Sequence, residues 1–95
     1  MRREIVEEPT FTEQLVSLGN ISRIDDRLDG LRWALWLDAE DFPLVGTFKN
    51  LRVARVLGFD EPDLLVFFNL KLIDGVEKVS LLWIEAHEED AAPDA

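Results

Sequence analysis

Cysteine is absent from this sequence of 95 residues, and there is only one histidine. These absences exclude a disulfide framework, a thiolate metal site and an imidazole metal cluster. Stability must therefore come from apolar packing, and neither a metal nor another cofactor is expected. A hydrophobic content of 47% in 95 residues is enough for one modest core. We predict one domain over residues 1–87, followed by an acidic, disordered tail over residues 88–95.

Long apolar runs are also missing. The longest mostly apolar stretch, residues 64–73, is interrupted by Asn69 and Lys71. It is shorter than the roughly 20 residues that a membrane-spanning helix needs. The first four residues, Met-Arg-Arg-Glu, are not followed by the apolar run of a signal peptide. We therefore expect a cytoplasmic protein with no membrane partner.

Basic residues are scarce, because 10 of them stand against 20 acidic residues, and the formal net charge is −10. A charge of this sign repels polyanions, and nucleic-acid affinity depends on neutralising phosphates. The composition therefore argues against strong, nonspecific nucleic-acid binding. It remains compatible with a local basic stripe.

The first half of the sequence predicts a short strand and two helices. Residues 3–7 have the composition of a strand. A capping box formed by Thr10 and Glu13 predicts the start of a first helix, and a second capping pattern at residues 22–25 predicts a longer one. The apolar stripe of the longer helix comprises Ile21, Ile24, Leu28, Leu31 and Leu35, and is widened by Trp33, Trp36 and Leu37. We interpret these tryptophans, and Trp83, as packing residues.

The second half is rich in β-forming residues. It predicts three strands, over residues 51–59, 64–73 and 76–86. Asp74 and Gly75 predict a tight hairpin turn between the last two strands. The continuous apolar run at residues 64–68 predicts a central strand covered on both faces. The fold class is therefore α+β: a short N-terminal strand, a helix hairpin that covers one face of the sheet, and an antiparallel β-meander.

Several short strings follow one another at positions that fit these elements. They are Glu4-Ile5-Val6-Glu7, Gly46 ahead of residues 51–56, Val66-Phe67-Phe68, and Leu81-Leu82-Trp83-Ile84 ahead of His87. Together with the order of elements, the strings resemble the RelE/ParE toxin superfamily over residues 3–89. The resemblance implies a β-α-α-β-β-β fold and a toxin-like component of a type II toxin-antitoxin system. It also implies a cognate antitoxin as a 1:1 partner.

The resemblance implies alternative activities as well. RelE-like members cleave mRNA on the ribosome without a metal, ParE-like members poison DNA gyrase, and some members have lost activity. Metal-free cleavage by 2′-hydroxyl attack needs a base, a cation for the phosphate charge and an acid for the leaving oxygen. By position, the resemblance implies His87, Arg52 and Arg55 as catalytic residues and Lys49 as a substrate-binding residue of a ribosome-dependent mRNA endoribonuclease.

Three departures from the family pattern favour an alternative without catalysis. The chain has no tyrosine, Leu64 and Leu65 stand where many members have an arginine, and carboxylates follow His87. A carboxylate near the phosphate would repel the transition state. Arg52 and Arg55 are three apart in a strand, so they should point to opposite faces, and one of them could simply pair with a carboxylate. The alternative is a non-catalytic binding protein of the same fold, either a gyrase-directed inhibitor or a degenerate toxin that only binds an antitoxin.

The acidic composition also leads to an expectation about the antitoxin. Because complementary surfaces carry opposite charges, the antitoxin should be locally basic. Its lysines or arginines should lie near Asp25, Asp26 and Asp29, or near residues 85–90. We further expect an exposed apolar groove or sheet edge, between the helix hairpin and the sheet, that the antitoxin covers.

Overall fold

The computed structural model describes residues 2–19, 24–47, 49–58 and 61–87. The elements, in chain order, are β1 (Arg2–Glu7), α1 (Pro9–Ser17), α2 (Ile24–Asp38), a single 3-10 turn (Ala39–Asp41), β2 (Arg52–Val56), β3 (Asp63–Ile73) and β4 (Val76–His87). The α+β class and the order of elements are as predicted. No helix in the described ranges is long and apolar enough to cross a membrane.

The four strands form one mixed sheet in the order β1-β4-β3-β2. Strands β2, β3 and β4 make the predicted antiparallel meander, whereas β1 pairs with β4 in parallel. The turn between β3 and β4 is formed by Asp74 and Gly75, whose φ angles are 53° and 78°. Both residues therefore adopt the left-handed conformation that a two-residue hairpin turn requires, as their sequence predicts.

The hydrophobic core lies between the two helices and one face of the sheet. From the helices it includes Phe11, Ile24, Leu28, Leu31 and Leu35, and from the sheet Ala54, Leu64, Val66, Phe68, Val79, Leu81 and Ile84. The α2 residues of this cluster recur every three or four positions, so they form one stripe along the helix. The part of the predicted stripe that begins at Ile24 is thus confirmed, while Ile21 lies outside the described residues.

The predicted capping box of α1 is wrong. The helix begins at Pro9, its N-cap residue is Glu8, and no side chain caps it. Proline suits the first helical position because its φ angle is already helical and its missing N–H would have no partner there. Thr10 therefore lies inside the first turn rather than ahead of it. The second capping pattern begins at Ser22, which lies outside the described residues.

The prediction that the tryptophans are packing residues is also wrong. Trp33, Trp36 and Trp83 are 66%, 50% and 43% exposed, and Leu37 is exposed as well. Trp33 follows the buried Leu31 by two positions, a rotation of roughly 200° around the helix, so it faces away from the sheet. One sheet face is covered by one stripe of α2, and the remaining apolar residues of the helix are left outside.

β3 is central in the sheet, as predicted, but it is not covered on both faces. Leu64, Val66 and Phe68 are buried, whereas the alternate residues Leu65 and Phe67 are only half-buried. Helices pack against the first of these two faces. Within the described residues no helix or strand covers the second face, which we call the open face. β2 is shorter than predicted, ending at Val56 rather than residue 59.

The edge of β4 is closed by a side chain where β1 stops. β1 ends at Glu7, opposite Leu81, and the Glu8 N–H donates to the Leu81 carbonyl at 3.0 Å. Farther along β4, the Ile84 N–H donates to Oε1 of Gln14 at 2.9 Å. α1 therefore continues, through one amide side chain, the hydrogen bonding that β1 begins.

Arg3 joins β1 to the end of α2. Its guanidinium donates to the carbonyl oxygens of Leu35 and Trp36, at 3.0 and 2.8 Å, near the C-terminus of the helix. It also binds the carboxylates of Glu77, at 2.7 Å, and Glu40, at 2.8 Å, and its side chain is only 10% exposed. Burial acts to lower the pKa of Arg3, but the hydrogen bonds to the two carboxylates outweigh burial and raise it.

Replacement of Arg3 by methionine should lower the free energy of unfolding by about 3 kcal/mol, because it leaves Glu77 and two helix carbonyls without their donor. Urea unfolding followed by circular dichroism measures the loss. Arg32→Met is the matched control, since Arg32 pairs with Glu7 and Asp29 at the surface and its loss should cost less than about 1 kcal/mol. Equal losses in the two variants would contradict a special role for Arg3.

Candidate functional site

The open face displays the side chains that alternate with the buried ones along each strand. β3 contributes Phe67, which is paired across the sheet with Trp83 of β4. β2 contributes Arg55, whose neighbour Ala54 is buried against the helices. The remaining polar and charged positions on this face are Glu4, Asp63, Asn69, Lys71, Lys78, Ser80, Glu85 and His87.

A β-bulge shapes the centre of the open face. The register shifts so that Phe67 faces Trp83 while Phe68 faces Leu81, which leaves Leu82 as an extra residue in β4. A bulge allows two consecutive side chains to lie on the same side of a strand. Leu82 and Trp83 accordingly both border a shallow concavity of about 630 Å³, whose lining residues are Thr10, Leu51, Phe67, Leu82, Trp83 and Glu85. The indole Nε1 of Trp83 donates to Oε1 of Glu85 at 3.0 Å.

The lysine end of the open face lies beside this apolar centre. A second concavity, of about 410 Å³, is lined by Lys49, Asn50, Leu51, Asn69, Lys71 and Leu82. Lys71 is paired across the strands with Lys78, so all three lysines of the chain are at this end. Like charges that face each other across a sheet destabilise it. On its other side Lys78 is paired with Glu4 of β1. No ion pair of the three lysines is found within the described residues, and three cations against this one carboxylate favour an anionic ligand.

At the opposite end of the open face, the Asp63 carboxylate binds two neighbouring groups of the chain. One carboxylate oxygen accepts from Arg55 Nε and Nη2, at 2.8 and 2.7 Å, and the other accepts from the Gly58 N–H at 2.9 Å. His87 is the residue paired with Asp63 across the sheet. The Gly58 N–H, followed by the Arg55 guanidinium, lowers the pKa of Asp63. Asp63 is therefore a carboxylate positioned between the two predicted catalytic residues of this end.

Arg52 lies on the other side of the sheet. It is half-buried, and its Nη1 donates to the Phe42 carbonyl at 2.6 Å. Arg52 and Arg55 thus point to opposite faces, and Arg55 pairs with a carboxylate, as strand alternation and the acidic composition indicate. The four predicted site residues do not form one cluster. Lys49 is six residues from Arg55, roughly 20 Å of extended chain, and Arg52 is directed away from both.

Two features of the open face were missed by sequence reasoning. In the sequence, Lys71 only interrupts an apolar run, and the pattern around Trp83 predicts a packing residue. The signal that could have identified them is the alternation of residues 64–71, in which every second residue belongs to the open face. The bulge that adds Leu82 has no comparable signal, because it depends on the pairing of two strands.

No protein-family model matches the chain, and no curated protein matches it. The resemblance to the RelE/ParE superfamily therefore stays a prediction from the sequence.

The low pKa of Asp63 leads to a prediction about acid stability. A carboxylate whose pKa is lower in the folded protein than its unfolded value, about 3.9, stabilises the fold above that value and loses its contribution as the pH falls through the folded pKa. Asp63→Asn keeps an acceptor for the Gly58 N–H but removes the charge. We expect the variant to have a lower free energy of unfolding than the wild type at pH 7. This difference in free energy should become smaller as the pH falls below about 4. Thermal unfolding of both proteins, measured between pH 2 and 7 in steps of about half a pH unit, tests this prediction. A difference in stability that does not change with pH would contradict it.

Proposed function

We propose that the protein is a toxin-like component of a type II toxin-antitoxin system, of RelE/ParE type, and that its open face binds single-stranded RNA. The observation that carries the proposal is the position of Lys49 and Lys71, with Lys78 opposite Lys71, in a concavity next to the one formed by the half-buried Phe67 and the exposed Trp83. Both concavities lie on the sheet face that no helix or strand of the described residues covers. This is the combination that single-stranded nucleic acid requires, since lysines neutralise phosphates and aromatic rings stack on bases.

The net charge of −10 does not oppose this proposal, because the charges are unevenly distributed. The six carboxylates of α2 and the 3-10 turn lie on the helix side: Asp25, Asp26, Asp29, Asp38, Glu40 and Asp41. The described part of the open face has four cations, Lys49, Lys71, Lys78 and Arg55, against three carboxylates, Glu4, Asp63 and Glu85. Salt screens exposed charges beyond about 8–10 Å, so a ligand on the open face responds mainly to the charges of that face.

Phe67 and Trp83 supply the stacking surface. They face each other on the two central strands, and Trp83 is 43% exposed. Stacking of one base on an aromatic side chain contributes about 1–3 kcal/mol. Lys49 and Lys71 border the adjoining concavity, where they would contact the phosphates that follow the stacked bases.

Binding without cleavage fits the geometry better than ribonuclease activity does. Of the predicted catalytic residues, Arg55 and His87 lie at the same end of the open face, but the Asp63 carboxylate occupies the position between them. Arg52 is held by a backbone carbonyl on the opposite side. A carboxylate at this place opposes the negative charge that builds up on the phosphate during 2′-hydroxyl attack. The endoribonuclease is accordingly the second candidate, and it would depend on Arg55 and His87.

RNA binding is tested with a fluorescent single-stranded oligonucleotide of about 12 nucleotides. Lys49→Ala combined with Lys71→Ala should weaken binding and reduce the slope of log K against log salt by about 1.4, since each lost phosphate contact in single-stranded nucleic acid contributes about 0.7. Fluorescence anisotropy at several salt concentrations measures both quantities. A control with Thr12→Glu and Val16→Glu lowers the net charge equally, on exposed positions of α1, and should leave the salt slope unchanged.

The stacking surface is tested in the same assay. Trp83→Ala should reduce affinity by about tenfold or more, whereas Trp33→Ala, which removes a more exposed tryptophan from α2, should have no effect. Equal RNA affinities and salt slopes of the lysine variant and its charge-matched control would contradict the RNA-binding proposal. Equal RNA affinities of the two tryptophan variants would contradict it as well.

Toxicity is tested by inducible expression of the chain in a bacterial host. We expect growth arrest by the wild type and relief of the arrest by the Lys49→Ala, Lys71→Ala variant, with equal protein levels. Primer extension on ribosome-bound mRNA distinguishes the two candidates. Binding alone predicts reduced translation without new 5′ ends, whereas specific cleavage that is abolished by His87→Ala would establish the ribonuclease instead. Normal growth of cells that contain the wild-type protein would contradict the active-toxin proposal.

A further inference from the structure

A second exposed apolar region lies on the opposite side of the molecule. It consists of Ile5, Trp33 and Trp36, which we call the tryptophan patch. These residues, with Asp29 and Arg32, line a concavity of about 390 Å³ at the junction of α2 and β1. β1 is the terminal strand of the sheet and has a strand partner on one side only. The patch therefore lies at an edge of the sheet, between α2 and β1.

Folding of the described residues does not explain the tryptophan patch. Trp33 and Trp36 are half or more exposed, whereas the buried stripe of α2 already fills the space above the sheet. Tryptophan is enriched among the residues that dominate binding energy at protein interfaces, and contiguous exposed apolar surface commonly marks such an interface. Two exposed tryptophans one turn apart on the same helix thus provide a pair of anchors.

The surroundings of the tryptophan patch are acidic. α2 and the 3-10 turn have six carboxylates and two arginines, and of the carboxylates Asp29 pairs with Arg32 and Glu40 with Arg3. Neither arginine offers much positive charge to a ligand. Arg32 pairs with Glu7 and Asp29, and Arg27 donates to the carbonyls of Val56 and Pro62 beneath the helix.

We propose that the tryptophan patch binds a cationic amphipathic segment of a partner protein. Apolar side chains of the segment would fill the concavity between Trp33 and Trp36, and its lysines or arginines would face the carboxylates of the rim. Charge complementarity selects this occupant. Nucleic acid would be repelled by the rim, and a second copy of the chain would bring two acidic rims together. Where the proposed function holds, the partner is the antitoxin, but the surface itself is inferred independently of RNA binding and toxicity.

The proposal is tested with an amphipathic helical peptide of about 18 residues, composed of leucine and lysine, and a counterpart in which glutamate replaces lysine. Isothermal titration calorimetry of the full chain should show binding of the lysine peptide only. Trp33→Ala combined with Trp36→Ala should weaken this binding at least tenfold. Trp83→Ala, which removes a tryptophan from the open face, is the matched control and should leave it unchanged. Because the substituted tryptophans are exposed, all variants should unfold at similar temperatures.

Stopped-flow measurements with the lysine peptide add a second readout. Raising the salt concentration should slow association several-fold while changing dissociation little, because exposed charges act mainly on the encounter of the partners. Equal binding of the two peptides, or unchanged binding after loss of both tryptophans, would overturn the proposal. A concentration-dependent dimer in sedimentation, lost in the Trp33→Ala, Trp36→Ala variant, would assign the patch to a second copy and overturn it too. RNA affinity and growth do not enter this test, so its failure is separate from failure of the proposed function.

Discussion

The guanidinium of Arg3 ties the C-terminal end of α2 to the sheet. The last carbonyl groups of a helix have no partners within the helix, and here Arg3 donates to two carbonyls near that end while it binds Glu77 on the neighbouring strand. A single side chain thus connects β1, β4 and the end of α2. α2 lies on one face of the sheet and no helix or strand of the described residues covers the other, so the two candidate surfaces are on opposite sides of the sheet.

This separation allows an acidic protein to present two surfaces of different character. The helix side combines exposed tryptophans with carboxylates, and the open face combines Phe67 and Trp83 with lysines. A net charge describes neither surface, because exposed charges are screened over distances smaller than the molecule, whose longest extents are 49 and 28 Å. The composition alone therefore does not show which kind of ligand either surface suits.

Local patterns in the sequence were sufficient to predict most of the fold. The spacing of Leu28, Leu31 and Leu35 predicts one buried face of a helix. Asp74-Gly75 between two apolar runs predicts a two-residue hairpin turn. Features that depend on distant residues could not be predicted in this way. Arg3 acts through Leu35 and Trp36, more than 30 positions away, and sequence periodicity contains no information about such a contact.

The candidate site shows the same limit. Strand alternation correctly placed Arg52 and Arg55 on opposite faces, and pairing of one arginine with a carboxylate was anticipated. The exposure of Trp83 is not predictable from the sequence, because apolar periodicity does not distinguish a tryptophan that fills a core from one that lies outside it. The distinction depends on how many layers cover the sheet, and the described residues provide a helical layer on one side only.

The side chain of Gln14 has a consequence for the edge of β4. By accepting from the Ile84 N–H, it occupies a main-chain donor of β4 beyond the end of β1, and this donor is then not available to pair with a strand of another molecule.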